Sequence, residues 1–205
     1  MSSTFLAIAL LFTLIHSTPI VAFERISTEP SEVRITPPAP RFTDAERQAE
    51  LARRRAAVAS KMADKSVMVL FSAEPKLYTN DVNYVFRQEN NLYYLTAFKQ
   101  PGATLIIRKN GADAIYTLFI RKRNPQFETW NGRMYSNEEA QRISGLSSIR
   151  NNDQLEPALK SIRERTEAAI ETLYLLLPAT ERDSDGLREF GQEAEFAKQS
   201  PGYKV

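Results

Sequence analysis

Cysteine is missing from all 205 residues. Its absence excludes thiolate nucleophiles, disulfides and thiolate-bound zinc together. Histidine is nearly missing too: the only one is His16, in the N-terminal stretch that carries an apolar run. Once that stretch is removed, no imidazole is left for a Ser-His or Cys-His nucleophile pair or for a zinc site of the usual kind. The seven glycines form no G-x-G-x-x-G or Walker pattern, so a phosphate cradle and a dinucleotide-binding fold are not indicated. A large net charge is also lacking, at +2 with an isoelectric point near 8.8. The basic runs Arg53-Arg54-Arg55 and Arg121-Lys122-Arg123 therefore read as solvated faces, not as a nucleic-acid surface. A metal site made only of carboxylates needs no histidine, but no ligand spacing stands out. Glu138-Glu139 comes nearest and reads as the solvated first turn of a helix.

What is present begins with Phe5 to Ile15, "FLAIALLFTLI". This run has the length of a signal peptide and is short for a bilayer span. With Ile20 and Ala22 as a cleavage site, residues 1–22 are expected to be a signal peptide. The expected destination is periplasmic or secreted, with no stable membrane insertion after cleavage; a retained anchor is the alternative. Residues 23–41 carry Pro30, Pro37, Pro38 and Pro40 and read as an extended linker.

Order is expected from residue 42. Thr43 and Glu46 have the spacing of a capping box, with Phe42 as a staple. Leu51, Val58, Met62 and the stem of Arg55 share one face of a helix over 43–62. Strands are expected at 66–72 ("SVMVLFS"), 91–97, 103–108 ("ATLIIR"), 114–120 ("AIYTLFI") and 172–177 ("TLYLLL"), with a hairpin turn at Gly111. Helices are expected at 137–143, started near Ser136, and at 153–171, with Leu155, Leu159, Ile162 and Ala169 on one face. The remainder, from 181 on, is polar and shows no core face. The pattern predicts an α/β domain with a mixed β-sheet flanked by helices.

Two stretches stand apart, "DVNYVFRQENNLYYLTAF" at 81–98 and "YTLFIRKRNPQFETWNGR" at 116–133. Tyr93 and Tyr94 fit either core packing or a binding surface. Arg87 is expected in a buried ion pair with Asp81 or Glu128, because a guanidinium satisfies a carboxylate with two parallel hydrogen bonds. Trp130 sits in a polar segment before Gly132 and reads as a loop anchor.

With "RRRAAVASKM" at 53–62, these stretches resemble the N-terminal domain of Xaa-Pro aminopeptidases (aminopeptidase P), in the creatinase/prolidase superfamily. The resemblance covers about residues 46–180, and F-R-Q followed by Y-L-T-x-F and E-x-W-x-G is a specific combination. One departure is Ala97, where the family usually has glycine; the expectation is a need for a small residue there, not for a positive φ.

The resemblance implies a creatinase/aminopeptidase P N-terminal-domain-like fold over 42–180, with 181–205 a tail or the start of a linker. It further implies a homo-oligomeric metallopeptidase, acting on peptides with proline at position 2 and using two Mn2+ held in a pita-bread catalytic domain. None of that domain is recognisable in this chain, so no catalytic and no metal-binding residue is expected here. By resemblance, Asp81 and Trp130 line the substrate site, Asp81 as an anion for the substrate ammonium and Trp130 as a wall for a proline ring. Arg87, Gln88, Glu128 and Arg133 are structural members of the motifs, with Arg87 and Gln88 bracing the loop that presents Asp81. The alternative is a stand-alone binding or interaction protein derived from the same domain.

Overall fold

The structure is a computed structural model. It divides into two units, Met1–Pro40 and Arg41–Val205. It describes residues 41–166, 170–177, 191–200 and 202–203, all in the second unit. The expected signal peptide and all of the linker but Arg41 lie outside the described residues.

The first helix, α1 (Asp44–Ala59), opens with the predicted capping box: the Glu46 amide donates to Thr43 Oγ1 at 3.2 Å and the Thr43 amide to Glu46 Oε2 at 2.8 Å. Phe42 stays exposed, so it does not act as a staple. Then come β1 (Ser66–Phe71), a small hairpin of β2 (Leu77–Thr79) and β3 (Val82–Asn83), and α2 (Asn90–Thr96). The chain continues through β4 (Thr104–Asn110), β5 (Asp113–Ile120), α3 (Pro125–Asn131), α4 (Asn137–Ser144) and β6 (Ser148–Asn151). A 3-10 turn (Asn152–Gln154) leads into α5 (Leu155–Arg163), then β7 (Thr172–Tyr174) and α6 (Gly191–Lys198).

Five strands form one sheet in the order β6-β5-β4-β1-β7. β4 is antiparallel to β1 and β5, while β7 is parallel to β1 and β6 to β5. Four strands therefore point the same way, and their C-terminal ends share one edge of the sheet. Strand alternation sends Leu70, Leu105, Ile107, Leu118 and Ile120 to one face, where they meet Leu92, Leu95, Phe98, Ala140 and Leu146 from α2, α4 and their exits. Val67, Val69, Phe71, Ile106 and Phe119 point to the other face, against Leu159, Ile162 and Phe196. The predicted mixed sheet flanked by helices is present.

Several element boundaries differ from expectation. Residues 91–97 are not a strand but α2. Glu89 caps it, accepting from the Asn91 and Leu92 amides at 2.9 and 2.7 Å. Leu92, Leu95 and Thr96 are buried while Tyr93 and Tyr94 are exposed, which is helical spacing. Ala97 then ends the helix with φ 54°, in the left-handed region. The departure from glycine is therefore at a position that does demand a positive φ, where a Cβ is strained. The helix expected over 153–171 stops at Arg163, and Arg165 turns left-handed with φ 53°; Ala169 lies outside the described residues. β7 ends at Tyr174. The described part of the polar tail is α6, which buries Phe196 and Glu193.

Arg55 is the clearest surprise of the basic run. Its neighbours Arg53 and Arg54 pair with Glu50 at the surface, but Arg55 is only 3% exposed. Its Nη1 donates to the Leu95 carbonyl at 2.8 Å and to the Ser144 carbonyl at 2.9 Å. These carbonyls lie in the last turns of α2 and α4, so one guanidinium meets the negative ends of two helices. Burial holds its pKa below the usual arginine value, partly offset by Tyr116. The signal was its place between Leu51 and Ala59 on the buried face of α1.

Candidate functional site

Both motif stretches leave the C-terminal edge of the sheet, one after β1 and the other from β5. Polar groups stitch this edge. The Ser72 amide donates to the Ala103 carbonyl, and the Gly102 amide to Ser72 Oγ, both at 2.8 Å. Asn152 Nδ2 donates to the Gly102 carbonyl at 2.8 Å. Gly102 has φ 72°, a left-handed conformation that favours glycine, and a Cβ there would lie 2.3 Å from Arg121 Nε, so that side chain would have to shift.

Gln88 binds the first motif to this edge. It is buried, and its Oε1 accepts from the Ala73 and Glu89 amides at 3.1 and 2.9 Å. Its Nε2 donates to the Gln100 carbonyl at 3.0 Å. Gln100 Oε1 in turn accepts from the Tyr135 amide at 2.7 Å, just beyond the second motif. Two glutamines thus join the two motifs across the sheet edge. Gln100 lies outside both matched motifs, so their pattern did not point to it.

The second motif closes on itself. Asn124 caps α3, accepting from the Gln126 and Phe127 amides, with Pro125 in the first turn. Glu128 receives Arg123 through two parallel bonds of 2.7 and 2.9 Å, and its Oε1 also accepts from the Met134 amide at 3.1 Å. The Arg123 guanidinium holds the Glu128 carboxyl down at about 2. Arg133 bonds Glu139, whose carboxylate also caps α4 through the Ser136 amide.

Arg87 does not take the expected part. It is exposed, and its recorded contact is a 3.5 Å bond to Asn90 Oδ1. Glu128 has Arg123, an arginine five residues away on the same motif, and Asp81 lies at the exposed tip of the β2–β3 hairpin. Bracing of the loop therefore falls to Gln88. Trp130 is not in a loop but on α3, near its end, and is 88% exposed.

Asp81 is surrounded by exposed apolar groups. Leu77, Tyr78, Val82 and Tyr84 of the hairpin are half exposed or more, and Val85 is 97% exposed. Tyr78 and Tyr84 meet edge to face at 5.0 Å, which stiffens the hairpin across its base. Beside it a groove of about 490 Å³ is lined by Glu74, Lys76, Tyr84, Arg87 and Glu89, among others. Tyr93 and Tyr94 face outward and carry Lys99 and Arg54 over their rings, at 5.6 and 4.4 Å. Neither Trp130 nor the Glu128 network lines that groove. Among the described residues no group of three or more His, Cys, Asp or Glu side chains fits a metal ion.

The family model of the aminopeptidase P N-terminal domain matches residues 51–171, which takes in the whole sheet but the last strand and both motifs. The chain is similar to the Xaa-Pro aminopeptidase of Haemophilus influenzae, 40% identical over 91 residues, or 44% of this chain and 21% of that protein. It is also similar to intermediate cleaving peptidase 55 of Schizosaccharomyces pombe, 37% identical over 81 residues, or 38% of this chain and 17% of the relative. The chain thus spans about a fifth of the length of these curated relatives. A solved Bacillus anthracis protein assigned as an aminopeptidase P superposes with TM-score 0.70 and 27% identity, over 78% of this chain and 38% of that one. Escherichia coli aminopeptidase P superposes with TM-score 0.58 over 78% of this chain and 35% of that one; at 20% identity it shares the fold.

Proposed function

The chain belongs to the aminopeptidase P N-terminal domain family, and from that premise we propose that it is the non-catalytic, substrate-access and oligomerisation part of an Xaa-Pro aminopeptidase. The reaction in this reading is release of the N-terminal residue before proline, carried out by a separate manganese-dependent domain. The observation that carries the reading is the pairing of the family match over 51–171 with the placement of the motif residues. Their buried members hold the sheet edge together, and Asp81 and Trp130 are presented outward with no internal role. A charged group and a flat ring left at the surface suit contact with a separate catalytic body. Asp81 meets the substrate's ammonium and Trp130 flanks its proline ring. The apolar flanks of the β2–β3 hairpin supply the contact between subunits. Export to the periplasm or medium rests on the apolar run Phe5 to Ile15 and is checked by finding a mature chain that starts after Ala22.

The test is an assay of the purified chain on an Xaa-Pro peptide with manganese present. The expected result is no release of the N-terminal residue. Sustained release contradicts the reading. Light scattering on the same sample separates the stand-alone alternative: a stable oligomer that recruits no peptidase partner favours an independent interaction protein.

A further inference from the structure

We propose that Glu193 is a proton-operated latch: its neutral form seats α6 on the end of β1, and its ionised form releases that helix.

The carboxyl lies in the first turn of α6 and is only 3% exposed. It is set against the end of β1, where the Phe71 amide points at it. β7 has already stopped pairing with β1 three residues earlier, at Met68, so the strand end needs this partner. The rest of the helix is held by apolar contact, with the Phe196 ring meeting Phe71 edge to face at 6.1 Å.

The charged groups around Glu193 work against an anion. Glu74, in the segment after β1, and Glu89, the cap of α2, both raise its pKa. On the α5 side Arg163 lies over the Phe196 ring at 5.8 Å and bonds Glu156. Arg165 lies over the Tyr203 ring at 4.6 Å. Glu195 and Lys198 complete the charges of α6 itself. Two effects favour the anion, the Phe71 amide and Glu193's own amide, but burial outweighs them and pushes the carboxyl up to about 7. The folded value thus lies above the ordinary 4.5. For an acid raised in this way, the helix is held fully below pH 4.5, and the hold is lost as pH rises through about 7.

The latch connects to the groove beside the hairpin. Gln192 Nε2 donates to Glu74 Oε1 at 2.9 Å, and Glu74 and Glu89 both line that groove. Release of α6 therefore frees a side chain of the groove wall and uncovers Phe71.

The test is amide exchange of the full chain, followed by mass spectrometry and corrected for intrinsic rates. Protection of α6 is expected to fall at least about tenfold between pH 5 and pH 8.5. In Glu193→Gln it is expected to stay within about twofold, because the amide stays neutral across that range. In Glu74→Gln, an exposed change that leaves the fold intact, the midpoint is expected at lower pH. Constant protection in the unaltered chain, or an equal fall in Glu193→Gln, overturns the proposal. An unmoved midpoint in Glu74→Gln overturns the role given to the neighbouring carboxylates.

Discussion

The five-stranded sheet and the β2–β3 hairpin are built from similar residue types and behave oppositely. In the sheet, most of the valine, leucine and isoleucine side chains are covered, Ile115 being the exposed exception, and on the helix packed against it Arg55 is buried with its Nη1 bonded to two carbonyls. In the hairpin, leucine, valine and tyrosine all stand in solvent. The difference lies in what each has to pair with. The central strands of the sheet have two strand neighbours and helices on both faces. The hairpin has only its own partner strand and a register irregularity, which makes it marginal as a folding unit. Stability is thus concentrated in one region and exposed apolar side chains in the other.

The largest expected effect comes from breaking the sheet's buried clamp. Arg55→Ala leaves two helix-end carbonyls buried without donors and is expected to cost about 3 kcal/mol, read from urea unfolding. A loss near zero would place Arg55 in solvent. Next is the strained helix end: Ala97→Gly is expected to stabilise by about 1 kcal/mol, because glycine adopts the left-handed conformation without a Cβ clash. Acid provides a third, smaller effect. Arg53 and Arg54 hold Glu50, and Arg123 holds Glu128, at about 2 against an ordinary 4.5. Their contribution is present above pH 4.5 and is lost as pH falls through about 2, so Glu128→Gln is expected to flatten that acid limb. The smallest effect is at Arg87. Arg87→Ala is expected to stay within about 0.5 kcal/mol of the unaltered chain, since the residue is exposed.

The two arginines show what was legible in the sequence. The sheet's strands at 66–72, 103–108 and 114–120 were readable because β-type residues ran together between turn residues. The capping box at Thr43 and the helix start near Ser136 were readable because capping is local. Residues 91–97 misled because tyrosine and leucine suggest a strand, while the spacing of Leu92 and Leu95 with a glutamate cap decides for a helix. Arg55 and Arg87 could not be told apart by residue type. Burial of Arg55 depends on two carbonyls 40 and 89 residues away, and Arg87 lost its expected partner because Arg123 is closer to Glu128. The tail was missed because the core face of α6 rests on few residues, one of them a glutamate.

One measurement bears most directly on the division between a stable sheet and the proposed recognition surface: urea unfolding of the combined variant Asp81→Ala, Val85→Ser, Trp130→Ala. The expected midpoint matches that of the unaltered chain within about 0.5 kcal/mol in stability. A loss of more than about 2 kcal/mol would mean that these residues hold the fold together, and would contradict their assignment as groups presented to a substrate and a partner.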